Sequence, residues 1–426
     1  MRLFRLFASA AALLCCIVPH AEAQEQGVRI GLTYNAGTRP GLYILPLQGA
    51  FGDSVRSILA RDLDYGDRIS VIAPDSGAPV TGALNYPLFA RLGAAAVLRL
   101  QQTMGGAWNV ELHEVGASRI LHRSEARFAA DPLSPAWRMA VHALSDQIEE
   151  WVTGVRGVAA TRILFNRAEG LWIVDSDGAN AHPVAGVSSA LSPAWHPNGR
   201  TVAYQTYEED GSHVYVRELS GGTPRRVSFA VGVNITPAFS PDGKSVVFSH
   251  GSDATDLWRV ELAGGEGPVR VTVGRGSENL SPSFSPDGRR IAFATGRLGR
   301  PEIYITDADG TNPQWLTTTG FGDQSYRADP AWSPDGRSVA FQTQIEGRFQ
   351  VATINLRDRS VKQHTIEGAN EQPSWAPDGR HLVFTSTRGG SRQLWVLDTE
   401  SGRMRQLTQG SPARMGAWSP RLDGTQ

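Results

Sequence analysis

Two short acidic segments are the parts of this sequence whose residue types and spacing could bind a metal ion. Asp175-Ser176-Asp177-Gly178 and Asp307-Ala308-Asp309-Gly310 each place two carboxylates two residues apart, ahead of a glycine. Calcium loops of the EF-hand type use this spacing, but they also need a bidentate acid at the twelfth position, which neither segment has. Asp-Gly is also a common pair in tight turns between strands. The sequence therefore predicts two turns and no metal site.

No catalytic motif accompanies these carboxylates in the sequence. A Gly-x-Ser-x-Gly nucleophile elbow, a phosphate-binding P-loop and a His-Glu-x-x-His zinc motif are all absent. Beyond the first 23 residues the histidines are scattered, and none pairs with another at a spacing that suits a metal ion. They are His113, His122, His142, His182, His196, His213, His250, His364 and His381. We therefore expect neither catalysis nor a cofactor.

Most of the chain is built from a repeated strand–turn motif, which must position the residues named above. Six copies of a motif similar to Pro-Ala-Trp-Ser-Pro-Asp-Gly-Arg begin at positions 193, 237, 282, 330, 373 and 416, so successive copies lie 43 to 48 residues apart. The inner Pro and Gly favour a tight turn, because Pro fixes φ and Gly accepts a positive φ. A strand-rich repeat of about 40–50 residues is typical of the blades of a β-propeller.

Each motif predicts the first two strands of a four-stranded blade. The aromatic residue before the turn lies on the first strand, and an alternating run such as Ser338–Gln342 forms the second; two further strands follow in each repeat. Residues 162–166 and 171–175 have strand patterns but no motif before them, whereas the last motif, at Gly416, has no strands after it. These halves predict one split blade. The result is a six-bladed propeller closed by the C-terminal strand, which removes two exposed sheet edges.

Residues 1–23 have the features of a secretory signal peptide. Arg2 and Arg5 precede an apolar run over Leu6–Val18, and Ala21-Glu22-Ala23 provides the small residues of a cleavage site. The apolar run is too short to cross a bilayer as a helix. A buried N-terminal helix and a lipoprotein leader are the two alternatives. We expect cleavage after residue 23 and export of the mature chain.

The cysteine content indicates the cellular compartment of the protein, and its net charge indicates which partners it can bind. Both cysteines, Cys15 and Cys16, lie in the predicted leader, so the mature chain has no disulfide and no thiol chemistry, as suits a periplasmic protein. The chain is close to neutral, with 41 Lys and Arg against 42 Asp and Glu. A nucleic-acid-binding surface would need a clear excess of positive charge. We therefore expect a periplasmic protein that binds no nucleic acid.

Residues 24–153 predict an α/β domain in front of the propeller. Apolar residues at helical spacing over Asp53–Asp64 predict one helix, and a longer helix begins where Ser134 caps Pro135 and stops at Gly154. Strand-like runs alternate with these helices, and the motif repeat is absent. The expected divisions are the signal peptide (1–23), the α/β domain (24–153), a linker (154–161) and the propeller (162–426).

The order of these parts resembles the TolB family, the periplasmic propeller proteins of the Tol-Pal cell-envelope system. The resemblance covers the chain after residue 23 and includes Val28-Arg29-Ile30, Arg39-Pro40-Gly41 and the closing Ala417-Trp418-Ser419-Pro420. Gly416 departs from the proline that begins the other motif copies, and Arg421-Leu422 interrupts the last turn. The resemblance implies an α/β domain followed by a six-bladed propeller, without catalysis.

The resemblance also implies partners and a role. The propeller is expected to bind a Pal-like peptidoglycan-associated lipoprotein, and the N-terminal segment with Val28, Arg29 and Ile30 is expected to bind TolA. Other outer-membrane proteins are a third class of partner that the resemblance allows. The protein would act as a monomer that reaches the membrane only through its partners. Its role would be to support outer-membrane integrity, protein import and envelope constriction during cell division.

Propeller geometry indicates which residues would bind the lipoprotein. The first strand of each blade lines the central channel, so we expect the loop that leads into this strand to lie at the channel mouth. In the family, as the resemblance implies, these positions before the motif belong to the lipoprotein-binding face. We name them the rim residues: Leu191, Ser192, Val233, Asn234, Thr236, Glu278, Asn279, Leu280, Ser281, Ala328, Asp329, Glu371, Gln372 and Met415.

Two other functional classes share the repeat: scaffolds with different partners, and enzymes of the hydrolase or lyase type. A periplasmic propeller scaffold with different partners would carry the same motif. A propeller-type hydrolase would need a separate hydrolase domain, for which the region outside the repeats is too short. A propeller-type lyase would need a cluster of metal-binding histidines, which the scattered histidines do not predict.

Overall fold

A computed structural model describes residues 39–74, 80, 82–264, 267–274, 277–317 and 326–422 of the 426-residue chain. The predicted signal peptide and the predicted TolA-binding residues Val28, Arg29 and Ile30 lie outside these ranges. Within them, a small α/β region is followed by six four-stranded sheets. The same ranges include no helix that is both long and apolar enough to cross a membrane.

The α/β region is a five-stranded mixed sheet with helices on both faces. Its strands are β1 (Gly41–Ile44), β2 (Ser70–Ile72), β3 (Ala96–Gln102), β4 (Trp108–Glu114) and β5 (Arg119–Ala126), in the spatial order β2-β1-β3-β4-β5. Its helices are α1 (Gly52–Tyr65), α2 (Tyr86–Arg91) and α3 (Pro135–Thr153). The sheet is parallel where helices cross between strands, from β2 through β1 to β3, and antiparallel from β3 to β5.

The apolar pattern of the sequence explains how the helices are placed. Leu59 on α1 and Val141 on α3 are fully buried in one core with Leu42 of β1. At the start of α3, the Ser134 hydroxyl accepts a hydrogen bond of 3.2 Å from the backbone N–H of Trp137. The helix ends where Gly154 takes φ 75°. The prediction for both helices is confirmed.

The six sheets are the blades of a propeller, which we number in chain order. Blade 1 pairs β29 (Arg414–Trp418) with β6 (Arg162–Arg167), β7 (Gly170–Asp175) and β8 (His182–Pro183). Blade 2 contains β9 (Ala190–Trp195), β10 (Thr201–Glu208), β11 (Gly211–Glu218) and β12 (Gly221–Arg226). Blade 3 contains β13 (Val233–Phe239), β14 (Ser245–Gly251), β15 (Thr255–Glu261) and β16 (Val269–Arg270).

The remaining blades follow the same pattern. Blade 4 contains β17 (Asn279–Phe284), β18 (Arg290–Thr295), β19 (Glu302–Asp307) and β20 (Gln314–Trp315). Blade 5 contains β21 (Arg327–Trp332), β22 (Ser338–Ile345), β23 (Arg348–Asn355) and β24 (Val361–Gln363). Blade 6 contains β25 (Asn370–Trp375), β26 (His381–Ser386), β27 (Gln393–Asp398) and β28 (Met404–Gln406).

The motif turn is built by its own side chains. In blade 3 the Ser240 hydroxyl donates a hydrogen bond of 2.6 Å to Oδ1 of Asp242, and the same oxygen accepts the backbone N–H of Lys244 at 3.1 Å. Gly243 follows with φ 70°, a conformation that favours glycine. In blade 2, Oδ1 of Asn198 accepts the corresponding N–H of Arg200 at 2.9 Å. The turn chemistry predicted from Ser-Pro-Asp-Gly is therefore present.

Blade 1 is split between the two ends of the propeller region, as predicted. Arg414 of β29 pairs with Asn166 of β6, and Trp418 pairs with Ile163. The Trp418 side chain is almost completely buried, and its Nε1 donates a hydrogen bond of 2.8 Å to Oγ1 of Thr161. The last strand therefore closes the ring.

The departures of the last motif have physical reasons. A side chain on Gly416 would place its Cβ 3.2 Å from methyl carbons of both Leu394 and Val383, so the site has little room for proline. Beyond Trp418 the chain runs beside the linker, where the N–H of Leu422 donates to the carbonyl of Ala160 at 2.8 Å. Arg421 donates to linker carbonyls, including that of Gly157 at 3.1 Å. Arg421-Leu422 therefore holds the linker instead of forming a turn.

Candidate partner-binding face

The α/β region contacts one of the two faces of the propeller. Arg138 on α3 lies 2.6 Å from a carboxylate oxygen of Asp177, and Arg68 lies 3.1 Å from a carboxylate oxygen of Asp378. Asp177 lies in the turn after β7 and Asp378 in the turn after β25, so both occupy the end of the blades where first strands finish. The loops before the first strands lie at the other end. We call that end, which faces away from the α/β region, the free face.

The rim residues lie on the first strands and not in the loops before them, so that expectation was wrong. Thirteen of the fourteen belong to β9, β13, β17, β21, β25 or β29, and Glu278 directly precedes β17. The strands begin earlier than predicted because their pairing with the second strand continues past a β-bulge, for example from Ala194 to Leu191 in blade 2.

Asn234 and Asn279 are fully buried, which removes them from the candidate surface. The Nδ2 group of Asn234 donates to the carbonyl oxygens of Ser212 at 2.8 Å and Ala230 at 2.9 Å. Asn279 makes the corresponding contact to the Thr255 carbonyl at 3.3 Å. Their amides therefore order the loop that leads into each strand, because buried carbonyl oxygens need donors.

One residue of every first strand has a left-handed backbone, and these six residues form a ring around the channel. They are Ser192 (φ 47°), Thr236 (53°), Ser281 (54°), Asp329 (48°), Gln372 (57°) and Met415 (57°). We call them the channel ring. Each is the extra residue of the β-bulge in its blade, where a non-glycine residue at positive φ is held only by surrounding contacts.

Hydrogen bonds from the preceding blade stabilise the channel ring. The N–H of Thr236 donates to Oε1 of Gln205 at 3.1 Å, and that of Gln372 donates to Oε1 of Gln342 at 3.0 Å. The N–H of Met415 donates to Oγ1 of Thr385 at 3.0 Å. These acceptors were not predicted from the sequence. A signal was present, because each is the polar residue that directly follows the aromatic residue of a second strand.

The channel ring lines a cavity of about 490 Å³. Five motif prolines contribute to its wall: Pro193, Pro237, Pro282, Pro330 and Pro373. The motif tryptophans pack between blades, since Nε1 of Trp195 donates to the carbonyl of Ala417 at 3.0 Å and Nε1 of Trp375 donates to that of Ala331 at 3.0 Å. The rigid, mostly uncharged wall presents a preformed surface to a partner.

The channel mouth is acidic on the side of blades 4 to 6. Burial raises the pKa of Asp329, and the nearby Glu371 carboxylate raises it further, while the hydrogen bond from Ser281 lowers it. Burial also raises the pKa of Tyr326, to which the charges of Asp329 and Glu278 add. Within the described ranges, none of these three carboxylates forms an ion pair with Arg, Lys or His. A partner group with a positive charge or an N–H donor would suit this side.

Exposed apolar side chains lie at the free face in several blades. They precede first strands, except that Val233 begins β13 and Leu298 lies between the second and third strands of blade 4. They are Phe229, Val231, Val233, Val273, Leu298 and Ile366. Val231 and Val273 each keep 66% of their surface exposed, and Ile366 keeps 78%. Only Val233 belonged to the predicted rim. Apolar residues between the end of one repeat and the next motif were the signal that could have identified Phe229, Val231, Val273 and Ile366.

The two acidic segments form turns, as predicted. Gly178 and Gly310 each have φ 88°, and Oδ1 of Asp309 accepts the N–H of Thr311 at 2.9 Å. Asp177 has a further role that the sequence analysis missed. Its carboxylate pairs with Arg61 of α1 and Arg138 of α3, and it thereby joins blade 1 to the α/β region.

Comparisons with known proteins agree with the architecture. A family model described as TolB beta propeller domain matches residues 149–422. A Tol-Pal system protein TolB of Xylella fastidiosa (strain 9a5c) is 28% identical over 236 residues, or 50% of this chain and 53% of that protein. The protein of the same name from Xanthomonas campestris pv. campestris (strain B100) is 28% identical over 246 residues, or 53% and 55%. The chain thus spans about half the length of these curated relatives.

A solved structure is similar over most of the chain. The crystal structure of TolB from Acinetobacter baumannii has a TM-score of 0.77 and 27% sequence identity, and the match covers 90% of this chain and 97% of that one. The similarity therefore includes the α/β region as well as the propeller. The predicted six-bladed propeller behind an N-terminal α/β region is confirmed.

Proposed function

Because the chain belongs to the TolB beta propeller domain family, we propose that it is a non-enzymatic, periplasmic protein-interaction component of the Tol-Pal system. The relatives that carry the name Tol-Pal system protein TolB support this assignment. In this proposal the protein binds a Pal-like peptidoglycan-associated lipoprotein through the free face of the propeller. It thereby supports outer-membrane integrity and envelope constriction during cell division.

The observation that carries the lipoprotein proposal is the composition of the free face. Exposed apolar side chains occur on this face together with polar and acidic groups, beside a channel whose wall is fixed by hydrogen bonds between blades. Such a mixture of apolar anchors and polar groups is typical of reversible complexes between soluble proteins. A standard interface buries about 1,600 Å² in total, so loops from several blades would have to contribute together.

A pair of matched substitutions tests this proposal. Val233→Arg places a charge at the start of β13 on the free face, whereas Val269→Arg makes the same change on β16, an outer strand of the same blade. We expect Val233→Arg, and the more central Leu280→Arg, to weaken binding of the lipoprotein's soluble domain by at least ~2 kcal/mol. Val269→Arg should bind as the wild type does.

Isothermal titration calorimetry gives the affinities, and circular dichroism melts establish that each variant is folded. Wild-type affinity in folded Val233→Arg and Leu280→Arg proteins would exclude the free face as the lipoprotein-binding surface. Equal losses in all three variants would show that the effect does not depend on the face.

We propose TolA as the partner of the N-terminal segment, residues 24–33, with Val28, Arg29 and Ile30. The resemblance of these residues to the family supports this. Arg39 is the first residue that the structure describes, and it lies 3.8 Å from Asp67 at the junction of the two parts. Deletion of residues 24–33 should abolish TolA binding without changing the melting temperature. Unchanged TolA binding by the deletion protein would refute this assignment.

A further inference from the structure

The motif turn of blade 6 contacts the α/β region through its aspartate, Asp378. Ala376 occupies the place of the serine that donates to the turn aspartate in blades 3, 4 and 5. Oδ1 of Asp378 still accepts the backbone N–H of Arg380 at 3.0 Å. Its Oδ2 instead lies 2.7 Å from Nδ1 of His381 and 3.1 Å from Nη1 of Arg68, which belongs to the α/β region. The turn therefore serves docking as well as reversal of the chain.

His381 connects the two parts of the molecule. Its Nδ1 faces Asp378 of its own turn, and its Nε2 lies 3.4 Å from Oδ2 of Asp67, directly after α1. The ring is almost completely buried. Asp67 has a left-handed backbone with φ 57°, so its carboxylate is held at this position by surrounding contacts. Because both ring nitrogens face carboxylates, only the doubly protonated imidazolium can donate to both.

The other charges around His381 form ion pairs, some across the same junction and some within one part. Arg403 lies 3.0 Å from Asp67 and 2.6 Å from Asp64. Arg380 lies 2.5 Å from Asp398 and 2.8 Å from Glu400, and it donates to the Asp67 carbonyl at 3.2 Å. Arg68 lies 3.2 Å from Glu149 of α3, and Arg39 lies 3.8 Å from Asp67. Asp62, Asp177 and Arg405 line the small cavity beside His381; Arg405 donates to the Ser176 carbonyl at 3.0 Å, and burial lowers its pKa to about 10.

We propose that His381 is a proton-dependent latch: its imidazolium joins Asp378 of the propeller to Asp67 of the α/β region, and its deprotonation loosens the junction. A neutral ring can donate to only one of the two carboxylates and presents a lone pair to the other. The contacts of Arg68, Arg380 and Arg403 persist, so the two parts gain freedom to move without separating completely.

The charge distribution supports an alkaline transition. Burial by itself lowers the pKa of His381, but its hydrogen bonds to Asp378 and Asp67 raise it to about 9. Because the pKa of His381 is raised, its protonated ring stabilises the docked state. This stabilisation is complete below pH 6.5, the ordinary histidine pKa, and is lost as the pH rises through about 9. Burial also raises the pKa of Glu149 to about 7, so Glu149 ionises earlier and strengthens the contact of Arg68.

The test measures the distance between the two parts as a function of pH. The chain after residue 23 has no cysteine, so Arg91→Cys and Thr223→Cys, both at exposed positions, allow one dye on each part of the full mature protein. With pH-insensitive dyes, energy transfer should fall and its distribution broaden between pH 7 and pH 10, with a midpoint near pH 9. In His381→Gln the broad distribution should be present at pH 7 and should not change.

His364→Gln is the matched control. Burial lowers the pKa of His364 to about 4, so this histidine is neutral throughout the range, and the variant should show the wild-type transition. If His381→Gln does not fold, Asp67→Asn removes the negative charge that favours the imidazolium on the α/β side and should weaken the transition in the same way. A wild-type transition in His381→Gln or Asp67→Asn would overturn the proposal. A constant distance between pH 7 and pH 10 in the wild type would overturn it too. A direct imidazole ¹⁵N titration of His381 with a midpoint below pH 7 would overturn it as well.

Discussion

The hydroxyl of Ser281 donates a hydrogen bond of 2.6 Å to Oδ1 of Asp329. The two residues hold equivalent positions in the channel ring, on the first strands of blades 4 and 5, and both have positive φ. This single contact joins two neighbouring blades inside the channel. It also fixes the direction of the one carboxylate in the ring, which has a neutral partner and a neighbouring negative charge on Glu371.

We predict that Asp329→Asn stabilises the folded protein at pH 8. The folded-state pKa of Asp329 is raised, so the wild type loses stability as the pH rises from the ordinary carboxyl value through the folded value. Asparagine keeps an acceptor for Ser281 and carries no charge. The melting temperature should rise by roughly 2–4 °C, equivalent to about 1 kcal/mol. At pH 4 the difference between variant and wild type should shrink, and a constant difference at both pH values would contradict the explanation.

We predict that Trp418→Ala destabilises the propeller by ~3–5 kcal/mol, as expected for loss of a buried aromatic side chain. Trp418→Phe keeps most of the packing and loses only the hydrogen bond to Thr161, at a cost of about 1 kcal/mol. Truncation before Arg414 should be more damaging than either, because it also removes a paired strand. Urea denaturation of the three proteins provides the comparison. A truncated chain as stable as the wild type would exclude closure of the ring by β29.

We predict that Gly416→Pro destabilises the protein, although it restores the residue found in the other five motif copies. A Cβ at this position lies 3.2 Å from the methyl groups of Leu394 and Val383. Overpacking of this kind costs typically about 1–3 kcal/mol. Gly416→Ala should cost less, because its methyl group meets the same neighbours without a ring. Urea denaturation that shows Gly416→Pro to be neutral or stabilising would refute the steric explanation.

We predict that Arg421→Ala loosens the linker between the two parts. The Arg421 guanidinium donates to the carbonyls of Gly157 and Arg156 at 3.1 and 3.2 Å, and alanine would leave both without this donor. The expected loss of stability is about 1–3 kcal/mol. Trypsin should then cleave after Arg156 faster than in the wild type. Arg337→Ala, at an exposed position in the turn of blade 5, is the control and should leave the cleavage rate unchanged.

The repeat could be predicted from the sequence because its chemistry is local. The hydrogen bonds of Ser240 and Asp242 lie within one turn, and the strand that follows is apolar enough in sequence to be recognised, although both faces of β14 are buried. The same local reasoning placed α1 and α3. It failed at the start of the first strands, where the bulge depends on pairing with the second strand and on acceptors from the neighbouring blade.

The contacts between the α/β region and the propeller could not be predicted from local sequence patterns, because they join residues that are far apart along the chain. Arg68 and Asp378 are 310 residues apart, and neither has a neighbour pattern that indicates a partner. Ala376 and His381 differ from the residues common at these positions of the repeat, and both lie at the motif turn of blade 6 that contacts the α/β region. Their role becomes clear only once the face covered by the α/β region is known. The structure places the predicted rim residues at the end of the blades that faces away from the α/β region. The buried amides of Asn234 and Asn279 were mistaken for surface groups.

The pairing of β29 with β6 also determines an order of events during folding. The backbone N–H of Arg162 bonds to the Ser419 side chain, a contact that joins residues 257 positions apart. Blades 2 to 6 consist of hairpins whose contacts are close along the chain, and such contacts form faster than distant ones. Blade 1 therefore keeps an unpaired edge until the final strand has been synthesised and has reached it. During that interval the nascent chain is most exposed to pairing with another molecule, so ring closure is the kinetic step that protects it from aggregation.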